Sequence, residues 1–159
     1  MQYFAGIDIG STAIKVALID ENKELIGHKI SASGSMFYKY AKQSLKEMLD
    51  EHNISEDDLA YTVSTGYGRK LFKEAEEKIR ERTANAIGAR AAAADKCEIK
   101  TIINIGGQDS KAISLDSEGN VVNFAMNDRC AAGTGKFLDV VAMNLELEVD
   151  ELGDYHFKS

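Results

Sequence analysis

Apolar and polar positions alternate over Ala13–Ile19, with Ile14, Val16 and Leu18 on one face and Lys15 on the other. A period of two is the signature of a half-buried strand. Tyr3–Ile9 and Leu25–Ile30 are apolar with β-branched positions and read as strands on either side of it. Gly10-Ser11-Thr12 breaks the first pair and Asp20-Glu21-Asn22-Lys23 the second, so the opening reads as an antiparallel meander. The period then changes. Phe37, Ala41, Leu45, Met48 and Leu49 fall on one helical face, with Lys42, Lys46, Glu47 and Glu51 opposite. Ser55 with Asp58 predicts a capping box. Ala60–Ser64 predicts a short strand ending in the glycine turn Thr65-Gly66-Tyr67-Gly68. Lys73–Ala94 is rich in Ala, Glu, Lys and Arg and predicts one long helix, with the Glu74–Glu77 run on its solvated face.

The pattern then restarts. Strands are predicted over Thr101–Ile105, Lys111–Leu115 and Val121–Met126, with a glycine break at 106–107 and a turn at 116–120. An amphipathic helix follows, carrying Phe137, Leu138, Val141, Ala142 and Leu145. Setting Ile7 on Ile103, an offset of 96, aligns about twenty residues without a gap. Gly10 falls on Gly106, Lys15 on Lys111, Asp20 on Asp116, and Asp8 on Asn104. Strands, breaks and turns matching at one offset indicate an internal repeat of a strand–strand–strand–helix unit. The first copy continues through a further strand and helix, and the second is expected to be cut short at Ser159. The predicted lobes are residues 1–97 and 98–159.

Composition narrows the function. The 159 residues carry 19 Lys+Arg against 26 Asp+Glu, a net charge of −7. That balance argues against general binding to nucleic acid or to an anionic membrane surface. No apolar run approaches the roughly 20 residues a bilayer-spanning helix needs. The N-terminus lacks the basic-then-apolar layout of a secretion signal, and two cysteines, Cys97 and Cys130, make no disulfide framework. A cytoplasmic chain with reduced thiols is the expectation.

Each copy joins its first two strands by a turn of small and polar residues, Gly10-Ser11-Thr12 and Gly106-Gly107-Gln108-Asp109. Glycine permits close backbone approach and positive φ, and successive N–H groups in such a turn can cradle an anion. Either turn alone reads equally well as a plain hairpin. Their repetition favours two loops that face one another and grip a polyphosphate. Asp8 and Asp109 place hard carboxylate oxygens where Mg²⁺ could be held through water.

GIDIGSTAIK and NIGGQDSKAI resemble the two phosphate loops of the sugar kinase–Hsp70–actin ATPases. Within that superfamily, TGYGR at 65–69, NIGGQDSK at 104–111 and MNDRCAAGTGKFLDV at 126–140 resemble the BadF/BadG/BcrA/BcrD group. These are the ATP-dependent activators of 2-hydroxyacyl-CoA dehydratases and the ATPase subunits of benzoyl-CoA reductase. The resemblance implies an α/β, ribonuclease-H-like (actin-like) fold of mixed sheets flanked by helices, here one complete lobe and the first half of a second. It implies a homodimer that binds ATP/ADP with Mg²⁺ and shares one 4Fe-4S cluster between subunits. A low-potential donor such as ferredoxin or flavodoxin would supply an electron, which ATP hydrolysis drives on to a dehydratase or reductase partner. By motif position, Gly10, Ser11 and Thr12 form the first phosphate loop and Gly106, Gly107 and Gln108 the second. Asp8, Asp109 and Gln108 handle magnesium and the attacking water, and Cys130 is a cluster ligand. A thiolate near a helix N-terminus has a lowered pKa and ligates iron readily. Lys15 could reach a phosphate oxygen or stand as a solvated strand lysine.

The sequence also departs from the group. Its second cluster cysteine and adenosine loop would lie beyond Ser159, and the His or Cys–His pair common near Asn85 is missing. The chain is therefore expected to be a fragment, not competent as an ATPase alone. Cys97, in DKCEIK, reads as structural. Gly133-Thr134-Gly135-Lys136 is not a P-loop, because Cys130 and Phe137 stand where Gly and Ser or Thr are needed. The alternatives are a sugar or carboxylate kinase of the same superfamily and a non-catalytic half-domain that associates through an open sheet edge.

Overall fold

A computed structural model of the chain describes residues 2–93, 96–127 and 132–156. It divides into two compact units, residues 1–84 and 85–159. The first holds a five-stranded mixed sheet of order β3-β2-β1-β4-β5. Its strands are β1 (Tyr3–Ile9), β2 (Ala13–Asp20), β3 (Leu25–Ala32), β4 (Leu59–Thr65) and β5 (Glu77–Lys78). β1 pairs antiparallel with β2 and parallel with β4. The alternation predicted for β2 holds, with Ile14, Val16 and Leu18 all buried against α1 (Phe37–Glu51). That helix turns Ala41, Leu45, Met48 and Leu49 inward, as their spacing dictates. It stops because Asn53 adopts φ +55° and the Ile54 N–H reaches back to the Leu49 carbonyl at 2.9 Å. Asn is one of the few non-glycine residues that takes this conformation readily. Ser55 and Asp58 form the predicted capping box on a single 3₁₀ turn.

The helix predicted over Lys73–Ala94 is shorter. It begins at Glu81 and is described to Ala93, as α2. The preceding residues are held by side chains that compete with helical hydrogen bonding. The Glu76 carboxylate accepts the Thr62 N–H of β4 at 2.6 Å. Glu74 accepts the Tyr38 hydroxyl and lies 3.4 Å from the Lys42 ammonium. These contacts, the Tyr38 hydroxyl foremost, hold the Glu74 carboxyl below its ordinary pKa. The Glu74–Glu77 run is thus a set of tertiary anchors leading into β5, not one solvated helix face. High helix propensity lost to specific long-range partners.

The second unit holds an antiparallel sheet of order β6-β7-β8, formed by Thr101–Ile105, Ser110–Leu115 and Val121–Asn127. Ala86 of α2 packs with Ile113 and Leu115 at its centre. The lobes proposed from sequence place all of α2 in the first, whereas this division passes through it. α3 (Gly135–Asn144) and the short α4 (Leu152–His156) follow. Of the stripe expected on α3, Ala142 is buried and Val141 half-buried, while Phe137, Leu138 and Leu145 are exposed.

The repeat is structural as well as sequential. Asp8 lies opposite Lys15, and Asn104 opposite Lys111. The ladder slips between Leu18 and Ile19, and 96 positions later between Ser114 and Leu115. Asp20 accepts the backbone N–H groups of Asn22 and Glu24, and Asp116 those of Glu118 and Asn120. Those bonds, first from Glu24 and from Asn120, hold both carboxyls below the ordinary value. A depressed folded pKa gives stability present above the unfolded value, about 3.9, and lost as pH falls through the folded one. Both turns should therefore loosen together below about pH 4. Amide exchange at Glu24 and Asn120 measured against pH reads this. Protection unchanged down to pH 2 would show that the carboxylates do not hold the turns.

Candidate functional site

Each unit presents a glycine turn where its first strand ends. In the first, β1 ends at Ile9 and the Gly10 N–H closes on the Ala13 carbonyl at 3.1 Å. In the second, β6 ends at Ile105 and the Gly106 N–H closes on the Asp109 carbonyl at 2.8 Å. Neither Gly10 nor Gly106 has positive φ, contrary to one of the two reasons expected for glycine there. Close approach is the operative one. A Cβ on Gly10 would sit 2.8 Å from the Ala13 oxygen, and one on Gly106 2.9 Å from Asp109 Oδ1. Ser11, Thr12 and Gln108 are exposed at the turns.

An acid–lysine pair stands beside each turn. Asp8 Oδ2 accepts from Lys15 Nζ at 2.9 Å. Its other oxygen, Oδ1, is buried and has no partner. Lys15 is thus not a free strand lysine but a partner of the Asp8 carboxylate. In the second turn Lys111 pairs with Asp109, with only 5% of the Lys111 side chain exposed. Asn104, at the position of Asp8, also keeps a buried oxygen without a partner. Buried polar atoms are almost always satisfied, so such exceptions mark a place where an outside group fits. Of the Asp8 carboxylate, Oδ1 is sealed from solvent, so Oδ2, which also meets Lys15, is the oxygen left to a hydrated Mg²⁺, an ion that keeps several waters and takes few protein ligands. The residues present therefore fit that ion at Asp8. Sequence reasoning gave no role to Lys111 or Asn104, although the 96-residue offset places them on Lys15 and Asp8.

The TGYGR segment belongs to the first turn. β4 brings Thr65 beside Asp8. Gly66 then takes φ +84°, and a Cβ there would fall 2.3 Å from Asp8 Oδ1. The Gly68 N–H bonds the Ile9 carbonyl at 2.8 Å, and Arg69 Nη1 bonds the Gly66 carbonyl at 2.9 Å. Gly66 is thus the wall against which the carboxylate lies.

Cys130 lies outside the described residues. Cys97 is exposed, not packed in a core. Among the described residues no group of three or more His, Cys, Asp or Glu could hold a metal ion. No described helix is long and apolar enough to cross a membrane.

Two mixed or antiparallel sheets flanked by helices, each opening on a glycine turn after its first strand, define an actin-like ATPase fold. The chain belongs to the BadF/BadG/BcrA/BcrD ATPase family, whose model matches residues 5–159. It is 39% identical over 158 residues to the (R)-2-hydroxyglutaryl-CoA dehydratase activating ATPase of Acidaminococcus fermentans, covering 99% of this chain and 59% of that protein. The crystal structure of component A of the same organism's dehydratase superimposes with a TM-score of 0.90 at 38% identity, covering 100% of this chain and 60% of the other. The activator of the 2-hydroxyisocaproyl-CoA dehydratase from Clostridium difficile, solved with bound ADPNP, gives 0.87 at 37%, covering 99% and 57%. The chain thus spans a little under two-thirds of the length of these relatives.

Proposed function

We propose that the chain carries the phosphate-handling part of an ATP-hydrolysing activator of a 2-hydroxyacyl-CoA dehydratase, or of a benzoyl-CoA reductase type partner. The observation that carries this is the pair of equivalent glycine turns, each beside a carboxylate–lysine pair, in a chain of this ATPase family. Gly10 and Gly106 close the turns through their own N–H groups, and the backbone N–H groups that follow them, of Ser11 and Thr12 and of Gly107 and Gln108, bind phosphate oxygens. Lys15 compensates their charge once Asp8 engages Mg²⁺. In the first unit Asp8 would hold water of a magnesium ion; in the second Asp109 would serve the same ion chemistry and, with Gln108, orient an attacking water. Positioned donors of this kind stabilise the charge that develops on a transferring phosphoryl group.

The electron-transfer side of the proposal rests on Cys130 within NDRCAAGTG. That thiolate would ligate a 4Fe-4S cluster, which supplies one-electron chemistry when bound. The lobes 1–97 and 98–159, the homodimer, a ferredoxin or flavodoxin reductant and a cytoplasmic setting complete the reading.

Calorimetric titration of the chain with ATP, with and without Mg²⁺, tests it. Saturable binding that needs Mg²⁺ is expected, and no binding at millimolar ATP overturns the nucleotide role. In a full-length version, prepared anaerobically, Cys130→Ser should abolish the cluster's visible absorption while sparing nucleotide binding. An unchanged spectrum removes Cys130 from the ligand set.

A further inference from the structure

The two glycine turns are held by different groups acting on an equivalent atom. In the first, the Gly10 carbonyl accepts the Ser33 hydroxyl at 2.6 Å, and the Thr12 carbonyl accepts the Ser33 N–H at 3.1 Å. Ser33 follows β3 and is fully buried. In the second, the Gly106 carbonyl, 96 positions from that of Gly10, accepts the Gly135 N–H at 2.8 Å. The neighbouring Gly107 carbonyl accepts the Lys136 N–H at 3.0 Å. Both donors there belong to the first turn of α3. That α3 approaches so closely depends on Gly135, where a Cβ would lie 3.2 Å from the Gly106 oxygen.

The consequence follows from peptide geometry. Across a planar trans peptide, a carbonyl and the N–H that follows it point in opposite directions, and the described residues contain no cis peptide. A carbonyl tied toward the protein therefore turns the next N–H away from it. For Gly10 that N–H is Ser11; for Gly106 and Gly107 it is Gly107 and Gln108. None of these three N–H groups donates to another group of the described chain. Backbone donors left unmet are uncommon and are available to water or a ligand.

We propose that Ser33 is a positioning residue of the first phosphate loop, doing with one side-chain hydroxyl what the start of α3 does with backbone amides for the second. This rests on the reading of that loop as a phosphate site. The two loops then differ in how they can be loosened. A single side-chain substitution frees the Gly10 carbonyl of the first, leaving only the Ser33 N–H on Thr12, whereas no side-chain truncation removes the amide donors of the second.

The test compares Ser33→Ala, which removes the hydroxyl donor, with Ser33→Thr, which keeps it, in the ¹⁵N-labelled chain. In the absence of nucleotide, Ser33→Ala should shift the Ser11 and Thr12 amide resonances and leave those of Gly107 and Gln108 in place. With Mg·ATP as the probe, its Kd should rise about tenfold, the low end of what losing an outer-layer hydrogen bond costs a binding site. Ser33→Thr should stay within about twofold of the unaltered chain. Unmoved Ser11 and Thr12 resonances overturn the proposal. So does an unchanged Kd in Ser33→Ala, or an equal loss in Ser33→Thr, which would show that Ser33 only fills space. Should Ser33→Ala not fold, Ser33→Cys takes its place with the same criteria, since a thiol is a weak donor of similar size. If the unaltered chain binds no Mg·ATP, the phosphate reading falls by itself, and the ligand-free spectra still decide whether Ser33 sets the loop.

Discussion

Asp8→Asn is expected to lower Mg²⁺ affinity, or the rate of Mg²⁺-dependent ATP hydrolysis, by about 10–100-fold, the range found when a group supporting a metal site is replaced. The effect should fall on function and not on the fold. Asp8 is paired to Lys15, but 48% of the Lys15 side chain is exposed. An ion pair open to solvent contributes only about 0–1 kcal/mol. The loss to the metal is larger because the substitution removes the negative charge that a hydrated Mg²⁺ would meet at Oδ2, the carboxylate oxygen not buried against Gly66. An amide in its place offers a neutral oxygen where a charged one is preorganised. Calorimetric Mg²⁺ titration in the presence of ATP, alongside a thermal melt, separates the two quantities. Unchanged Mg²⁺ dependence in Asp8→Asn would remove the residue from the metal site.

Phe72→Ala should produce the largest stability loss in the first unit, about 3–5 kcal/mol. Phe72 is only 1% exposed and is the largest of the fully buried side chains. Its ring lies 6.1 Å from that of Tyr38, and it packs within the cluster that joins β1, β2 and α1. Truncation removes the transfer energy of the ring and leaves a cavity that the surrounding strands cannot close. Against a typical net stability of about 5–15 kcal/mol, that loss brings the unit near unfolding. The midpoint of urea denaturation measures it. A cost below about 1 kcal/mol would show that the 66–76 segment is not anchored through Phe72.

Phe72 also shows where pattern reading stops. It lies between a glycine turn and a segment whose composition predicts helix, and it belongs to neither a period-two nor a helical face. Only its contact with Tyr38 and its place in the buried cluster of β1, β2 and α1 make it core. The Glu74–Glu77 run departs from its helical expectation for the same reason. Helix propensity is local, whereas the bonds from the Thr62 N–H to Glu76 and from the Tyr38 hydroxyl to Glu74 span 14 and 36 residues. Strands β1 and β6, by contrast, carry their apolar pattern within five to seven residues and have the predicted bounds.

The sequence by itself determined the repeat, the two glycine turns and the family. These depend on residue identities at one fixed offset and on local backbone chemistry, so they survive without coordinates. Tertiary structure alone decided which atoms are tied and which are left open. It turned Asp8 Oδ1 inward against Gly66, paired Lys15 and Lys111 with acids, and brought Ser33 under Gly10, 23 residues away. It also decided burial. Ile7 and Ile9 are 1% and 0% exposed, while their repeats Ile103 and Ile105 are 67% and 59% exposed. The residue types are the same. β1 has β4 on its outer edge and α1 against its sheet, whereas β6 has no strand on its outer edge among the described residues. Burial is set by what packs against a strand, and the strand's own sequence does not specify that.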